Sequence, residues 1–595
     1  MKTFSITCII CLFGVSCAAQ VFQFIAEDAL NNPPSDSRSV NFVDVNSDGL
    51  DDLFISNGSE GGAPDFLYLN QEGNQLSLQE DQPFYLNVKP SVGATFADAD
   101  NDGDLDASVA SWYGVTNGFY LNDGTGQFIS PTGTPLNQTN SYSESSAWGD
   151  FNRDGWLDLF VTNSGGADRS NSLYQQTQAG SFEPQPSINW SLPNNYSRSV
   201  SWIDYDSDDD LDLYVTNENA QPNELYINQG DDTFIRAENL PILENTGSTI
   251  THSWGDIDND GDVDLFLGNA GYFQPQANKL FRNLGNGEFE LVANSVLSNL
   301  SQCTFGSAFG DIDNDADLDL VLTSGYCTPD KLGAQLFLND GNGNFALADS
   351  DYWPDLPQVC SYGTAMGDLN NDGFLDIAVA HCKNNSASPA PPNSILLNTP
   401  NDNNWLKVKL IGNTSNRSAI GARVEMVALI NEAPVFQQRR VSAQTGYAGQ
   451  NSLTVHFGLA EEATGVWLII VWPDGKIQQV NNLEINQTVT IEESEPVSTT
   501  ASNYSLDRVA ISPNPVYGRG TGLSVFQQDE QSLPEFEVRI FDGTGKVVFE
   551  KHFDGTTQSD INLSWPYART PNGSYFVQIW DRQKLFRVFP ILKVD

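Results

Sequence analysis

The sequence is short of positive charge: 28 lysines and arginines stand against 77 aspartates and glutamates, a formal net charge of −49 over 595 residues. That deficit argues against nucleic acid or an anionic membrane as a partner for the surface as a whole, and makes cations the natural counterpart. Histidine is scarce too. His252, His381, His456 and His552 are scattered over three regions, and neither a nucleophile elbow nor a zinc-binding histidine motif accompanies them. No run approaches the ~18 apolar residues of a membrane span, and "VWLIIVW" (466–472) is only a strand. There are seven cysteines, of which Cys8, Cys11 and Cys17 fall in "MKTFSITCIICLFGVSCAAQ". One lysine, an apolar run and small residues read there as a secretory signal over residues 1–19, cut after Ala19. Lipidation at Cys17 is the alternative; Gly14 stands where a lipobox prefers leucine.

What is present in excess is aspartate, and it is periodic. The pattern Asp-x-Asp/Asn-x-Asp-x-x-x-Asp occurs at 44–52, 98–106, 150–158, 204–212, 256–264, 311–319 and 368–376, with successive starts 54, 52, 54, 52, 55 and 57 residues apart. Alternate residues of a tight loop can aim oxygens at one hard cation, and calcium takes six to eight of them. The expected ligands are Asp44, Asn46, Asp48 and Asp52; Asp98, Asp100, Asp102 and Asp106; Asp150, Asn152, Asp154 and Asp158; Asp204, Asp206, Asp208 and Asp212; Asp256, Asp258, Asp260 and Asp264; Asp311, Asp313, Asp315 and Asp319; and Asp368, Asn370, Asp372 and Asp376. Position 7 is expected to add a carbonyl. Glycine at position 6 allows the turn, but Asp209 and Ala316 replace it, so the loop at 311–319 is the least certain of up to seven Ca²⁺ sites. An EF-hand is excluded, because its twelfth position needs a bidentate glutamate. Here that position holds Ile55, Val109, Val161, Val215, Leu267, Leu322 and Val379.

The flanks read as strands. An apolar run follows each loop, and a large apolar residue stands two before it: Phe42, Phe96, Trp148, Trp202, Trp254, Phe309 and Met366. A third strand ("FLYLN", "GFYLN", "SLYQQ", "ELYIN", "KLFRN", "QLFLN", "SILLN") and, in six units, a fourth complete each repeat. Four short strands per ~54 residues predict blades of a β-propeller. The seventh unit lacks its fourth strand, and "FQFIAEDAL" (22–30) is expected to supply it. Cys303, Cys327, Cys360 and Cys382 flank the last two loops so that hairpin geometry predicts the disulfides 303–327 and 360–382; free thiols are the alternative.

The loop pattern resembles the FG-GAP/VCBS repeat of integrin α-like propellers, over about residues 20–400. From 403 to 493, "NNWLKVKLIGNTSNRSAIGARVEM" and "QQRRVSAQTGYAGQNSLTVHFGLAEEATGVWLIIVWPDGKIQQVNN" resemble the ASPIC/UnbV domain, which follows such a propeller in cartilage acidic proteins. The stretch "NRSAIGARV" is either a recognition loop or a turn. After a polar linker (494–504), residues 505–595 carry "ISPNPV", "FEVRIFDGTGKVVFE" and "PNGSYFVQIWDRQKLFRVFPILKV". They resemble the C-terminal sorting domain of type IX secretion, which implies that machinery as a partner and the surface of a Bacteroidetes-type bacterium. An unrelated immunoglobulin-like sandwich is the alternative. The expected fold is all-β: a seven-bladed propeller followed by two small β-sandwich-like domains.

With the Asp loops on one rim, an extracellular glycan or a surface protein is expected on the other. Candidate contacts there are Trp112, Tyr113, Arg169, Trp190, Tyr196, Arg198, Tyr272, Phe273, Tyr326, Lys331 and Trp353, with packing of loops onto blade ends as the plainer role. The expected function is calcium-stabilised recognition or adhesion without catalysis. The alternative is a propeller-type polysaccharide lyase or hydrolase.

Overall fold

Side chains of alternating character build the repeating unit. In the inner strands Ser37–Val43, Ser91–Ala97, Ser143–Gly149, Ser197–Ile203, Thr249–Gly255, Thr304–Gly310 and Ser361–Gly367, small residues dominate the stretch before the large residue. Small residues let strands converge toward a common axis. Each inner strand turns through an Asp loop into a second strand, such as Asp52–Asn57 or Asp158–Asn163, in which every residue is buried. That is the mark of a sheet covered on both faces. A third and a short fourth strand follow, giving antiparallel sheets.

The computed structural model describes residues 22–25, 33–71, 75–138, 140–185, 194–230, 233–244, 247–271, 274–285, 287–328, 332–350, 352–354, 356–383, 391–431 and 433–494, and eight strands between Val509 and Val594. The expected signal segment and Cys17 lie outside the described residues, as do residues 26–32 and the linker after 494.

Among the described residues, seven sheets built on this plan follow one another round a closed, propeller-like ring. Seven apolar clusters lie one between each pair of neighbours. Phe54 and Phe96 share the cluster between the first two sheets, and Phe42 of the first packs with Leu369 and Ala378 of the last. The large residue before each loop is a knob. In four of the seven contacts its socket is a glycine one position further along the preceding sheet (Gly149, Gly255, Gly310 and Gly367), while Val43, Ala97 and Ile203 hold that position in the other three sheets. A Cβ on Gly149 would meet the Trp202 ring, one on Gly310 the Met366 sulfur, and one on Gly367 the Phe42 ring.

Ring closure uses both chain ends of this region. Phe22–Phe24 pairs antiparallel with Ser394–Asn398 and becomes the fourth strand of the last sheet, and the Phe22 ring meets the Trp353 ring edge-on at 5.4 Å. A second device runs round the ring. The amide at the end of each third strand donates to the carbonyl of position 2 in the preceding sheet's loop: Asn122 to Val45, Gln176 to Ala99, Asn228 to Phe151, Asn283 to Tyr205, Asn339 to Ile257, Asn398 to Ile312 and, at the seam, Asn70 to Leu369, all at 2.7–3.0 Å. Cys303–Cys327 and Cys360–Cys382 are disulfide-bonded.

Beyond the ring, Asn404–Ile411, Val455–Ala460 and Gln487–Glu492 form one sheet, and Ala433–Arg440, Arg423–Ile430, Ala463–Val471 and Ile477–Leu483 another. They enclose Leu406, Val424, Phe457, Leu468 and Trp472. The eight strands after residue 509 make two more sheets.

Candidate metal centres

Backbone donors shape each Asp loop before any cation is considered. In the loop at 98–106, Asp98 Oδ1 accepts the Asp102 N–H at 3.0 Å and Asp98 Oδ2 the Gly103 N–H at 2.8 Å. Asp102 Oδ1 accepts the Asp104 N–H at 3.1 Å. Asp106 anchors the base, taking the Ala99 N–H on Oδ2 and the Asn122 N–H on Oδ1. The turn needs two left-handed residues. Position 6 has φ from 70° to 107° throughout, and position 4, always Ser, Asn or Arg, has φ near 60° in all seven loops.

Asp209 and Ala316, which break the glycine pattern, hold φ 70° and 84° all the same. The Ala316 N–H still reaches Asp311 Oδ2 at 3.0 Å, so the loop doubted from sequence keeps the common frame.

The donor set fits a divalent cation. Carboxylate oxygens of Asp98, Asp100 and Asp106 come within 4.8 Å of one another, as do those of Asp204, Asp206 and Asp212, of Asp256, Asp258 and Asp260, and of Asp311, Asp313 and Asp315. Position 3 gives the clearest sign: Oδ1 of Asp100, Asn152, Asp206, Asp258 and Asp313 is buried and accepts no hydrogen bond. A buried oxygen without a partner is costly, and a hard cation bound by oxygens would remove that cost. Burial, with like charges close by, pushes the Asp98 carboxyl up to about 7, Asp106 to about 8 and Asp212 to about 9.

The rim bearing these loops is covered by residues 404–493. Lys407 Nζ lies 2.6 Å from Asp368 Oδ2, and Lys409 Nζ lies 3.2 Å from Asp44 Oδ2. Arg423 and Arg440 approach Asp204 Oδ2 at 3.4 and 3.2 Å, and Arg423 also meets Asp209 Oδ1 at 2.9 Å. The Gly458 N–H donates to Asp311 Oδ2 at 3.1 Å, the Asp98 N–H to Ser418 Oγ at 2.8 Å, and the Arg417 N–H to Asn101 Oδ1 at 2.9 Å. Here "NRSAIGARV" contributes a contact with the ring.

From this domain the segment 444–452 runs down the ring's axis. Gly449–Gln450 adds a parallel strand to Val40 and Asn41. Gln450 brackets Phe96 through both backbone groups, at 2.7 and 3.0 Å. Backbones pack closely at two glycines of the channel, since a Cβ on Gly363 would collide with the Ala448 carbonyl and one on Gly446 with the Ser307 carbonyl. At the tip the Tyr447 hydroxyl donates to Glu144 Oε2 and accepts from Arg198 Nη1 at 3.1 Å. Tyr362 Oη lies 3.2 Å from it. Arg198 also binds Glu144 Oε1 at 2.7 Å and Glu218 Oε2 at 2.8 Å.

The candidate ligand residues divide. Tyr113 is exposed at the rim away from the Asp loops, and Trp112 stands edge-on to it at 4.8 Å and to Tyr142 at 4.9 Å. Arg169 lies over the Tyr196 ring at 4.3 Å on the same rim. Tyr326 is half-buried beside Phe305, with Arg38 at 5.4 Å. Two expectations are corrected. Arg198 is buried at the plug, where it balances two glutamates, and Trp353 is buried in the core because its ring packs on Phe22 and its Nε1 donates to the Ala334 carbonyl. Trp190, Tyr272, Phe273 and Lys331 lie outside the described residues. The sequence reading missed the docking cations, the strand-end amides and the plug. A signal for the first was available, since Lys407, Lys409, Arg417, Arg423, Arg439, Arg440 and Lys476 crowd one stretch of a chain with 28 basic residues.

These features define a propeller-like protein with aspartate loops on one rim and a β-domain docked over them. Comparison with known proteins agrees. The FG-GAP-like repeat matches residues 44–109, 98–161, 150–215, 204–267 and 256–322, the ASPIC and UnbV domain matches 412–498, and the secretion system C-terminal sorting domain matches 510–588. The chain thus carries FG-GAP-like repeats, an ASPIC and UnbV domain and a secretion system C-terminal sorting domain. It is similar to cartilage acidic protein 1, at 28% identity over 304 residues for Xenopus tropicalis and 26% over 301 for Homo sapiens. Those matches cover 47% of this chain and 42% of each relative, so the chain spans under half the length of the curated relatives it matches. Among solved structures, the Penicillium chrysogenum α-L-arabinanase complexed with arabinobiose matches at 13% identity over 52% of this chain and 93% of that one. Its TM-score is 0.32. The sorting tail indicates secretion or the cell surface of a Bacteroidetes-type bacterium. Among the described residues no helix is long and apolar enough to cross a membrane.

Proposed function

We propose that this is a calcium-binding recognition protein, displayed or released at the cell surface, whose Asp loops stabilise the ring and whose opposite rim binds a glycan or protein ligand. In this reading residues 20–400 are one seven-bladed propeller, 403–493 its docked companion, and 505–595 the address read by type IX machinery. Position 3 and the first aspartate of a metal-holding loop would bind Ca²⁺, with the remaining loop oxygens, and the ion would supply charge balance and rigidity.

The observation that carries the reading is the occupation of one rim and the axis by residues 404–493. The channel mouth of a ring is where substrate-sized ligands would converge, yet Tyr447, Glu144 and Arg198 there are buried and bound to one another. What remains open is the rim of Tyr113, Trp112, Arg169 and Tyr196. Aromatic faces beside a guanidinium suit stacking on sugar rings and pairing with acidic groups.

The test uses the full chain in millimolar calcium against a panel of soluble polysaccharides, reading retention in affinity gels and polymer size in the same samples. Retention of intact polymer, lost in Tyr113→Ala and on chelation, is expected. A fall in polymer size would replace recognition by lyase or hydrolase activity. Neither effect would move the ligand class from glycan to protein.

A further inference from the structure

The seven loops are not equivalent in how their oxygens are satisfied. In five of them a position-3 oxygen is buried and free: Asp100, Asn152, Asp206, Asp258 and Asp313. The other two, at 44–52 and 368–376, carry asparagine at position 3 with its bonds already made. Asn46 Oδ1 accepts the Asp48 N–H at 3.1 Å while its Nδ2 donates to Asp48 Oδ2 at 3.0 Å. Asn370 does the same with Asp372, at 3.0 and 2.8 Å.

Those two loops also receive the lysines. Lys407 and Lys409 are alternate residues of the strand Asn404–Ile411 and therefore share a face. Lys407 Nζ sits 2.6 Å from Asp368 Oδ2 and 2.7 Å from Asn371 Oδ1, and Lys409 Nζ 3.2 Å from Asp44 Oδ2. The loops are neighbours across the seam of the ring, where Asn371 Nδ2 donates to the Gly49 carbonyl at 3.0 Å. Their first aspartates are thus already served by two backbone N–H groups and an ammonium.

We propose that Lys407 and Lys409 take the place of the metal ion at the first and seventh loops, so that the chain binds divalent cations at five loops and uses the two seam loops as metal-independent seats for the docked domain. The inference rests on the reading of the loops as calcium sites. An ammonium brings three donors and one positive charge to the oxygens a cation would need, and a divalent ion beside it would meet like-charge repulsion. The loop at 150–158 shares the asparagine and the carboxylate count, and its Asn152 Nδ2 likewise donates to Asp154 Oδ2 at 3.1 Å, but its Asn152 Oδ1 is left free. Two of the five also meet arginines: Arg423 and Arg440 approach Asp204 in the loop at 204–212, and Arg282 Nε lies 2.9 Å from Asp258 Oδ2 in the loop at 256–264. Both stay among the five, because Oδ1 of Asp206 and of Asp258 remains free, and Arg423 lies nearer Asp209, outside the ligand positions, than Asp204. The physical consequence is a seam held shut whether or not external calcium is present.

The experiment is metal counting by equilibrium dialysis of the full chain against calcium chloride, followed by elemental analysis. Five ions per chain are expected, unchanged in Asp372→Asn, reduced to four in Asp260→Asn or, as an independent loop, Asp102→Asn, and raised to six in Lys407→Met. Circular dichroism checks that each variant is folded. Seven ions in the unmodified chain, or the loss of one in Asp372→Asn, would overturn the proposal while leaving the calcium reading intact. No bound ion at all would overturn both.

Discussion

Asn70 donates its side-chain amide to the Leu369 carbonyl at 2.7 Å, across 299 residues of chain. The same amide also reaches the Asp51 carbonyl at 3.0 Å, so one side chain ties its own loop to the last loop of the ring. Six equivalent clasps join sheets that are consecutive in the chain. This one joins the ends, beside the Phe22–Phe24 strand that completes the last sheet, and the ring is therefore closed by two separate elements.

Replacing Asn70 by alanine leaves two buried carbonyls without that donor. A loss of about 1–3 kcal/mol is expected from such unmade bonds, read as a lower urea midpoint. Asn339→Ala, at a clasp between consecutive sheets, removes the same chemistry away from the seam. If Asn70→Ala left the midpoint of the unmodified chain in place, the clasp would be ornamental.

How much of this was legible follows from where each signal sits. The Asp loops, the strands beside them, the disulfides and the N-terminal strand could be read because their partners lie within one repeat or copy its spacing. The clasps were visible only as the letter at the end of "YLN" or "YIN"; their acceptors lie 77 to 86 residues earlier, in another repeat. Docking was illegible for a different reason. Lys407 and Asp368 are ordinary exposed-type residues until two domains are brought face to face. The misplacement of Trp353 is instructive too, since an aromatic in a polar connection looks the same whether it faces solvent or covers the end of a sheet.

Chelation tests the loops as a group. At one to ten times its Kd an ion adds ~0.4–1.4 kcal/mol per site, so five sites would add ~2–7 kcal/mol. The thermal midpoint of the ring is expected to fall when calcium is withdrawn and to recover when it is restored. An indifferent midpoint would remove the ion from the account of stability, leaving the buried oxygens of Asp100 and Asp258 unexplained.

The plug makes a sharper claim. Tyr447→Phe removes the hydroxyl shared by Glu144, Arg198 and Tyr362 and leaves buried charge with fewer partners. A cost of about 1–3 kcal/mol is expected. Gly363→Ala acts differently, because a methyl there collides with the Ala448 carbonyl. Limited proteolysis should cut within 444–452 in this variant and spare the unmodified chain. Equal resistance in both would mean that the segment is not held by the channel.

Acidification addresses a group far from any metal loop ligand. His381 is buried, with Nδ1 3.0 Å from Ser361 Oγ and Nε2 2.8 Å from Ser394 Oγ, and burial holds its pKa down at about 4. The unfolded chain protonates it near pH 6.5. A depressed pKa of this kind gives stability that is complete above pH 6.5 and is lost as the pH falls through 4, because only the unfolded state takes up the proton in that window. The two values imply a loss of about 3 kcal/mol at most. Measured at saturating calcium, the difference in urea midpoint between the unmodified chain and His381→Gln should shrink from pH 7 to pH 4 and stay level above pH 7. Glutamine keeps a donor and an acceptor for the two serines but does not titrate. A difference that stayed constant with pH would show that His381 is not held neutral in the fold.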